Sequence, residues 1–124
     1  MIRARSALAL LSLVLAACQG GRDTGGAGLR VDGSPDHGAQ LIKQYRCGAC
    51  HSIPGVYGAN GMVGPPLTAF ARRSYIGGEL PNTPDNLRRW LLDPAAVEPG
   101  TAMPDLGLTP ADARDVAAYL STLR

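Results

Sequence analysis

Cys47-Gly48-Ala49-Cys50-His51 decides how the rest of this 124-residue chain is read. Two thiols three positions apart reach the two vinyl groups of one porphyrin. The imidazole beside the second thiol then lies under the ring, where it can bind iron from one face. A C-x-x-C-H run is the pattern expected for covalent attachment of a c-type haem. A run this short also arises by chance, so two other chemistries compete with it. Half of a zinc site is one, but no second Cys/His pair is present to complete a tetrahedral set. A thioredoxin-like dithiol is the other, but the flanks lack the strand–helix alternation of that fold.

Upstream, Ser34-Pro35-Asp36 combines a cap residue, a Pro at the first helical position and an acid in the first turn. Gly38, Leu41, Ile42 and Tyr45 recur at helical spacing, which predicts a helix running into Cys47. Gly38 lowers helix propensity by about 1 kcal/mol relative to Ala, a loss expected to be offset by close approach of another helix. His37, in the first turn, is expected to face solvent. Downstream, 53–66 is punctuated by Pro54-Gly55, Gly58, Gly61 and Gly64-Pro65-Pro66 and reads as a long loop packed on the porphyrin edge. Residues 67–73 suit a short helical turn. Thr83-Pro84-Asp85 opens a helix with Leu87, Trp90 and Leu91 on one face, ended by Pro94. Thr109-Pro110-Ala111-Asp112 opens another, with an apolar stripe of Ala113, Val116, Ala117, Leu120 and Leu123. No stretch sustains period-two alternation, so the expected fold class is all-α, with about three to five short helices.

Residues 1–17 carry Arg3 and Arg5, an apolar run from Ala7 to Leu15, and small residues before Cys18, the pattern of a cleaved export signal. Leu15-Ala16-Ala17-Cys18 resembles the bacterial lipoprotein signal, in which the Cys is acylated and anchors the mature chain. With two thiols committed to haem and the third to lipid, none is left unpaired in an oxidising compartment. Several acyl chains on one residue anchor stably, whereas one binds marginally. Residues 18–33 are Gly-rich and read as a flexible tether reaching roughly 20 Å. The expected organisation is therefore 1–17 signal, 18–33 lipidated tether and 34–124 folded domain. Loss of Arg3 and Arg5 leaves ten Lys+Arg against ten Asp+Glu, a balance that speaks against a nucleic-acid partner. Leu, Ile, Val and Phe number only 20 of the 107 residues from Cys18 on, a core thin enough to need a buried cofactor as staple.

A His-bound haem iron needs a decision about its sixth position, because that ligand separates carriers from catalysts and sensors. Met1 leaves with the signal. Met62 lies eleven positions after His51, little chain for reaching the opposite face of the ring. Met103 lies between Pro99-Gly100, which sets a turn, and Pro104, which holds it extended. That stiff loop presents the thioether at low entropic cost, so Met103 is the expected ligand.

Over 34–124 the chain resembles the class I cytochrome c family. Cys47–His51 fits its haem motif, Gly64-Pro65-Pro66-Leu67 its Gly-Pro-x-Leu, and Pro99-Gly100-Thr101-Ala102-Met103 its Pro-Gly-Thr-x-Met. Asp115-Val116-Ala117-Ala118-Tyr119-Leu120 is similar to its C-terminal helix. The resemblance implies one covalently attached haem c, with thioethers at Cys47 and Cys50 and iron bound by His51 and Met103. It implies that the Pro65 carbonyl accepts the other ring N–H of His51, that Leu67 lines the haem, and that Gly38 sits where the first helix crosses the last. Thr101 and Arg73 are implied at the propionates, with Asn82, Tyr75 and Trp90 as further candidates; for Trp90, plain core packing is an equal alternative. The lysine ring of mitochondrial members is missing, since Lys43 is the one lysine.

The expected function is electron transfer rather than catalysis. The protein is expected to be a monomer held at a bacterial membrane through an N-terminal lipid, exported to the cell envelope. A quinol-oxidising complex and a terminal oxidase are its expected redox partners. Three alternatives compete: a haem enzyme or gas sensor with an open sixth site, a fixed subunit of an oxidase complex, and a lipoprotein without haem. Carbon monoxide binding, co-purification in mild detergent and colour distinguish them in turn.

Overall fold

Three hydroxyl–proline pairs begin the three longer helices, and the structure, a computed structural model, describes residues 29–124. Helix α1 spans Pro35–Gln44, α2 Pro84–Leu92, α3 Pro94–Val97 and α4 Pro110–Leu120. Ser34, Thr83 and Thr109 each accept an N–H from three residues on, at 3.2, 3.2 and 3.1 Å, satisfying donors a helix start leaves unpaired. The first helix stops short of the expected Cys47. Arg46 takes a left-handed φ of 57°, which breaks the helix, and the motif then forms a separate 3-10 turn at Cys47–Ala49. A second such turn covers Phe70–Arg72.

The helical expectation holds, with one addition. Strand β1, Tyr75–Ile76, pairs antiparallel with β2, Leu80–Pro81, around Gly77 and Gly78, both at positive φ. Two-residue strands are too short to leave alternation in a sequence.

The core sits where α1 crosses α4, with α2 also packed against α4. Ile42, Leu87 and Val116 are fully enclosed there. Gly38 makes the crossing possible. A Cβ on it would stand 2.0 Å from the Asp115 carbonyl oxygen and 2.7 Å from its carbon. Gly38→Ala therefore gains about 1 kcal/mol of helix propensity but meets backbone that cannot rotate away, where overpacking costs roughly 1–3 kcal/mol or more. The expected net result is a loss of about 2 kcal/mol in denaturant unfolding of the haem-loaded protein; an unchanged midpoint would mean the helices do not touch there. The Tyr45 hydroxyl adds a second tie between the helices, donating to Asp112 at 2.8 Å. That bond holds the Asp112 carboxyl below its usual range and raises the Tyr45 phenol.

The residues expected to form a signal (1–17) and a lipid anchor (Cys18), and most of the expected tether, lie outside the described residues. The tether's last five residues need correction. Leu29 and Val31 are partly buried against the core, and the Ser34 N–H donates to Asp115 Oδ1 at 3.0 Å. Two apolar side chains in the Gly-rich stretch are enough to dock it.

Candidate haem site

The loop after the motif is stitched back onto it. Gly61 N donates to Gly48 O, Gly64 N to Cys50 O and Leu67 N to Ser52 O, at 3.0, 2.8 and 2.8 Å. This folds Pro65 under the His51 ring, whose Nδ1–H donates to the Pro65 carbonyl at 2.7 Å. A proline has a carbonyl but no N–H to compete, and the bond fixes the tautomer that leaves Nε2 free to act as a donor. Gly64 is required for the same approach, since a Cβ there would lie 2.4 Å from His51 Cε1.

Above this pair opens a cleft of about 440 Å³. Cys47, Cys50, His51 and Met103 all line it, between apolar walls that include Ile42, Leu67, Phe70, Leu87 and Val116. Neither cysteine is in a disulfide, and before any attachment burial pushes the Cys47 thiol up, with Cys50 adding to the shift. Two thiols, an imidazole with a free nitrogen and a thioether around a largely apolar cleft form a donor set that suits a haem. A shallower depression over the Ser52–Asn60 loop, about 490 Å³, contains none of these donors.

The other expected site residues divide. Pro65, Leu67, Arg73, Tyr75, Trp90 and Thr101 line the cleft. Thr101 Oγ1 accepts the Met103 N–H at 3.3 Å, so this hydroxyl braces the methionine loop. Arg73 stacks over the Phe70 ring at 5.3 Å and donates to the Pro66 carbonyl. Trp90 is partly buried against the core and also reaches the cleft. Asn82 does not line it, a correction to the sequence-based expectation. Its Nδ2 is spent on the carbonyls of Phe70 and Arg73, at 3.0 and 3.1 Å, and its Oδ1 is an acceptor, which a carboxylate would repel. Asn82 instead ties the Phe70–Arg73 turn to the β2 end. Met62 is 92% exposed and lies outside the cleft. His37 is exposed, as expected, and is bonded through Nδ1 to Asp115 at 2.8 Å, away from the cleft.

Tyr119 lies beside Gly38 at the helix crossing, as the resemblance implies, but sequence reasoning missed its hydroxyl, which donates to the Pro54 carbonyl at 2.6 Å and so pins the long loop to α4. It also missed Asp115 as the fold's buried carboxylate. Neither has a local signal, because each partner lies more than sixty residues away in sequence.

A family model described as Cytochrome c matches residues 35–124. The chain belongs to the cytochrome c family. Its cofactor is therefore a covalently attached haem c with iron, and Cys47 and Cys50 are positioned for the attachment. The cytochrome c domain makes this a haem electron-transfer protein. The chain is also similar to cytochrome c oxidase subunit 2 of Alkalihalophilus pseudofirmus, 32% identical over 90 residues that are 72% of this chain and 25% of that one. Subunit 2 of Bacillus subtilis is 31% identical over 68 residues, 53% of this chain and 19% of the other. The chain thus spans a quarter or less of the curated relatives it matches.

Proposed function

We propose that this cytochrome c is a membrane-anchored, single-haem electron carrier with His51 and Met103 as axial ligands. The observation that carries the reading is that Met103, and not Met62, shares the cleft with His51 and both thiols. Bound haem supplies a one-electron iron couple there. The chain's own residues do the rest. The Pro65 carbonyl holds the His51 tautomer and raises its basicity. Thr101 and the flanking prolines keep the Met103 thioether in place, and a thioether ligand favours the reduced state. Ile42, Leu67, Leu87 and Val116 exclude water, which penalises the more highly charged oxidised form. Arg73, Tyr75, Thr101 and Trp90 are among the cleft residues with polar groups for the propionates, as is Arg46.

Acylation of Cys18 on an exported chain would hold the carrier at a membrane surface, replacing free diffusion by a high local concentration near its partners. A quinol-oxidising complex fits as donor and a terminal oxidase as acceptor. From Ser52 to Ala71 there is no charged residue, and Tyr57, Met62 and Val63 are exposed along that stretch, so contact there does not depend on charge steering. Carbon monoxide tests the ligand set. The reduced protein is expected to bind it negligibly, whereas ready binding would open the sixth position and favour a sensor or enzyme.

One observation favours a second reading. The similar segments belong to much longer oxidase subunits, which supports a fixed place in an oxidase complex. Extraction in mild detergent separates the two: a mobile carrier comes away alone, and a subunit keeps the oxidase with it.

A further inference from the structure

Asp115 is the one buried charged residue of the described part of the chain, yet it contributes nothing to the cleft. Its Oδ1 accepts the Ser34 N–H at 3.0 Å and faces the Arg114 Nε at 3.5 Å, while Oδ2 accepts the His37 Nδ1–H at 2.8 Å. These partners, His37 foremost, hold the carboxyl below its usual range, so it is ionised at neutral pH. A buried carboxylate whose short hydrogen bonds run to the start of α1 and the arm before it, with Arg114 of its own helix alongside, is a joint between chain segments.

The arm is shaped to fit that joint. Leu29 and Val31 pack on the core, and Gly33, at φ 139°, passes so close to α4 that a Cβ would lie 2.9 Å from Asp115 Oδ1, 3.0 Å from the Arg114 carbonyl oxygen and 3.1 Å from Ala118 Cβ. On α4, at about 100° per residue, Asp115 and Ala118 are turned about 100° to 160° away from Val116 and Leu120, which line the cleft. The arm therefore lies on the side of the helix turned away from the haem.

We propose that Asp115 is a latch that fixes residues 29–34 to the back of α4, so that the chain enters the domain on the side turned away from the cleft. For its consequence at a membrane, this rests on the anchored reading above. A carrier whose anchor leaves from the back presents its haem side outward to partners instead of turning it toward its own attachment. The latch itself does not require the anchor.

Hydrogen exchange on the haem-loaded full-length chain tests it, with the intact mass of the same sample reporting separately whether Cys18 carries lipid. The Ser34 amide is expected to exchange at least tenfold more slowly than a free peptide amide. Asp115→Ala is expected to return it to the free rate while the haem spectrum stays unchanged. Gly33→Val provides a second variant that leaves every helix residue in place, and it should release the arm alone through a clash with Asp115 and Ala118. Free-chain exchange at Ser34 in the parent, or protection that survives in Gly33→Val, would overturn the latch. A lipid-free mass with a protected arm would overturn only the membrane consequence.

Discussion

Without its haem, this chain is expected to be largely unfolded. The cleft is walled by the same residues that make up the core, Ile42, Leu87 and Val116 among them, so removing the cofactor does not leave an intact core beside an empty site. At about 24 cal/mol per Å³ of residual void, a cleft of about 440 Å³ corresponds to about 10 kcal/mol. Domains of this size are stable by about 5–15 kcal/mol in total. Partial collapse would recover some of the loss. Circular dichroism and denaturant titration of protein made without haem attachment, as Cys47→Ala with Cys50→Ala, are the measurements. Weak helical signal without a cooperative transition is expected. Native-like dichroism with a cooperative melt would show that the polypeptide supplies its own core.

Met103→Ala is expected to have the largest effect on redox behaviour while leaving the fold in place. The side chain is only partly buried, and its backbone is braced independently by Thr101 and by Pro104, so truncation removes a ligand more than it removes packing. Loss of a thioether in favour of water takes away the ligand that stabilises the reduced state. The reduction potential should fall by on the order of a few tenths of a volt, within the span of about 0.8 V that axial ligation covers. Carbon monoxide should then bind the reduced variant. Met62→Ala, at a side chain standing in solvent, should leave the potential of the parent unchanged. Voltammetry of the three proteins decides; equal potentials for parent and Met103→Ala would remove Met103 from the iron.

What the sequence made legible is whatever had a local cause. Caps at Ser34, Thr83 and Thr109 announced three helices because a hydroxyl, a proline and an acid each act within one turn. Met103 in the cleft was readable because it sits in a stiff, proline-set loop, whereas the Pro65 carbonyl at His51 was implied by the resemblance to class I cytochromes c. Long-range pairings were not readable. The sequence shows Gly-rich composition before residue 34 but not that Leu29 and Val31 pack against the core, nor that Asp115 accepts the Ser34 amide N–H. Asn82 misled for the same reason: a polar residue near the cleft in sequence was spent on nearby carbonyls once the turn at Phe70–Arg72 formed. The break at Arg46 depends on a single left-handed residue that has no sequence preference for that conformation.

The most direct test of His51/Met103 ligation is the absorption spectrum of the oxidised haem-loaded protein in the far red, where sulfur–iron charge transfer gives a weak band. The account predicts that the band is present in the parent and in Met62→Ala and absent in Met103→Ala. A parent spectrum of five-coordinate or water-bound iron would contradict it and turn attention to a small-molecule ligand at the open position.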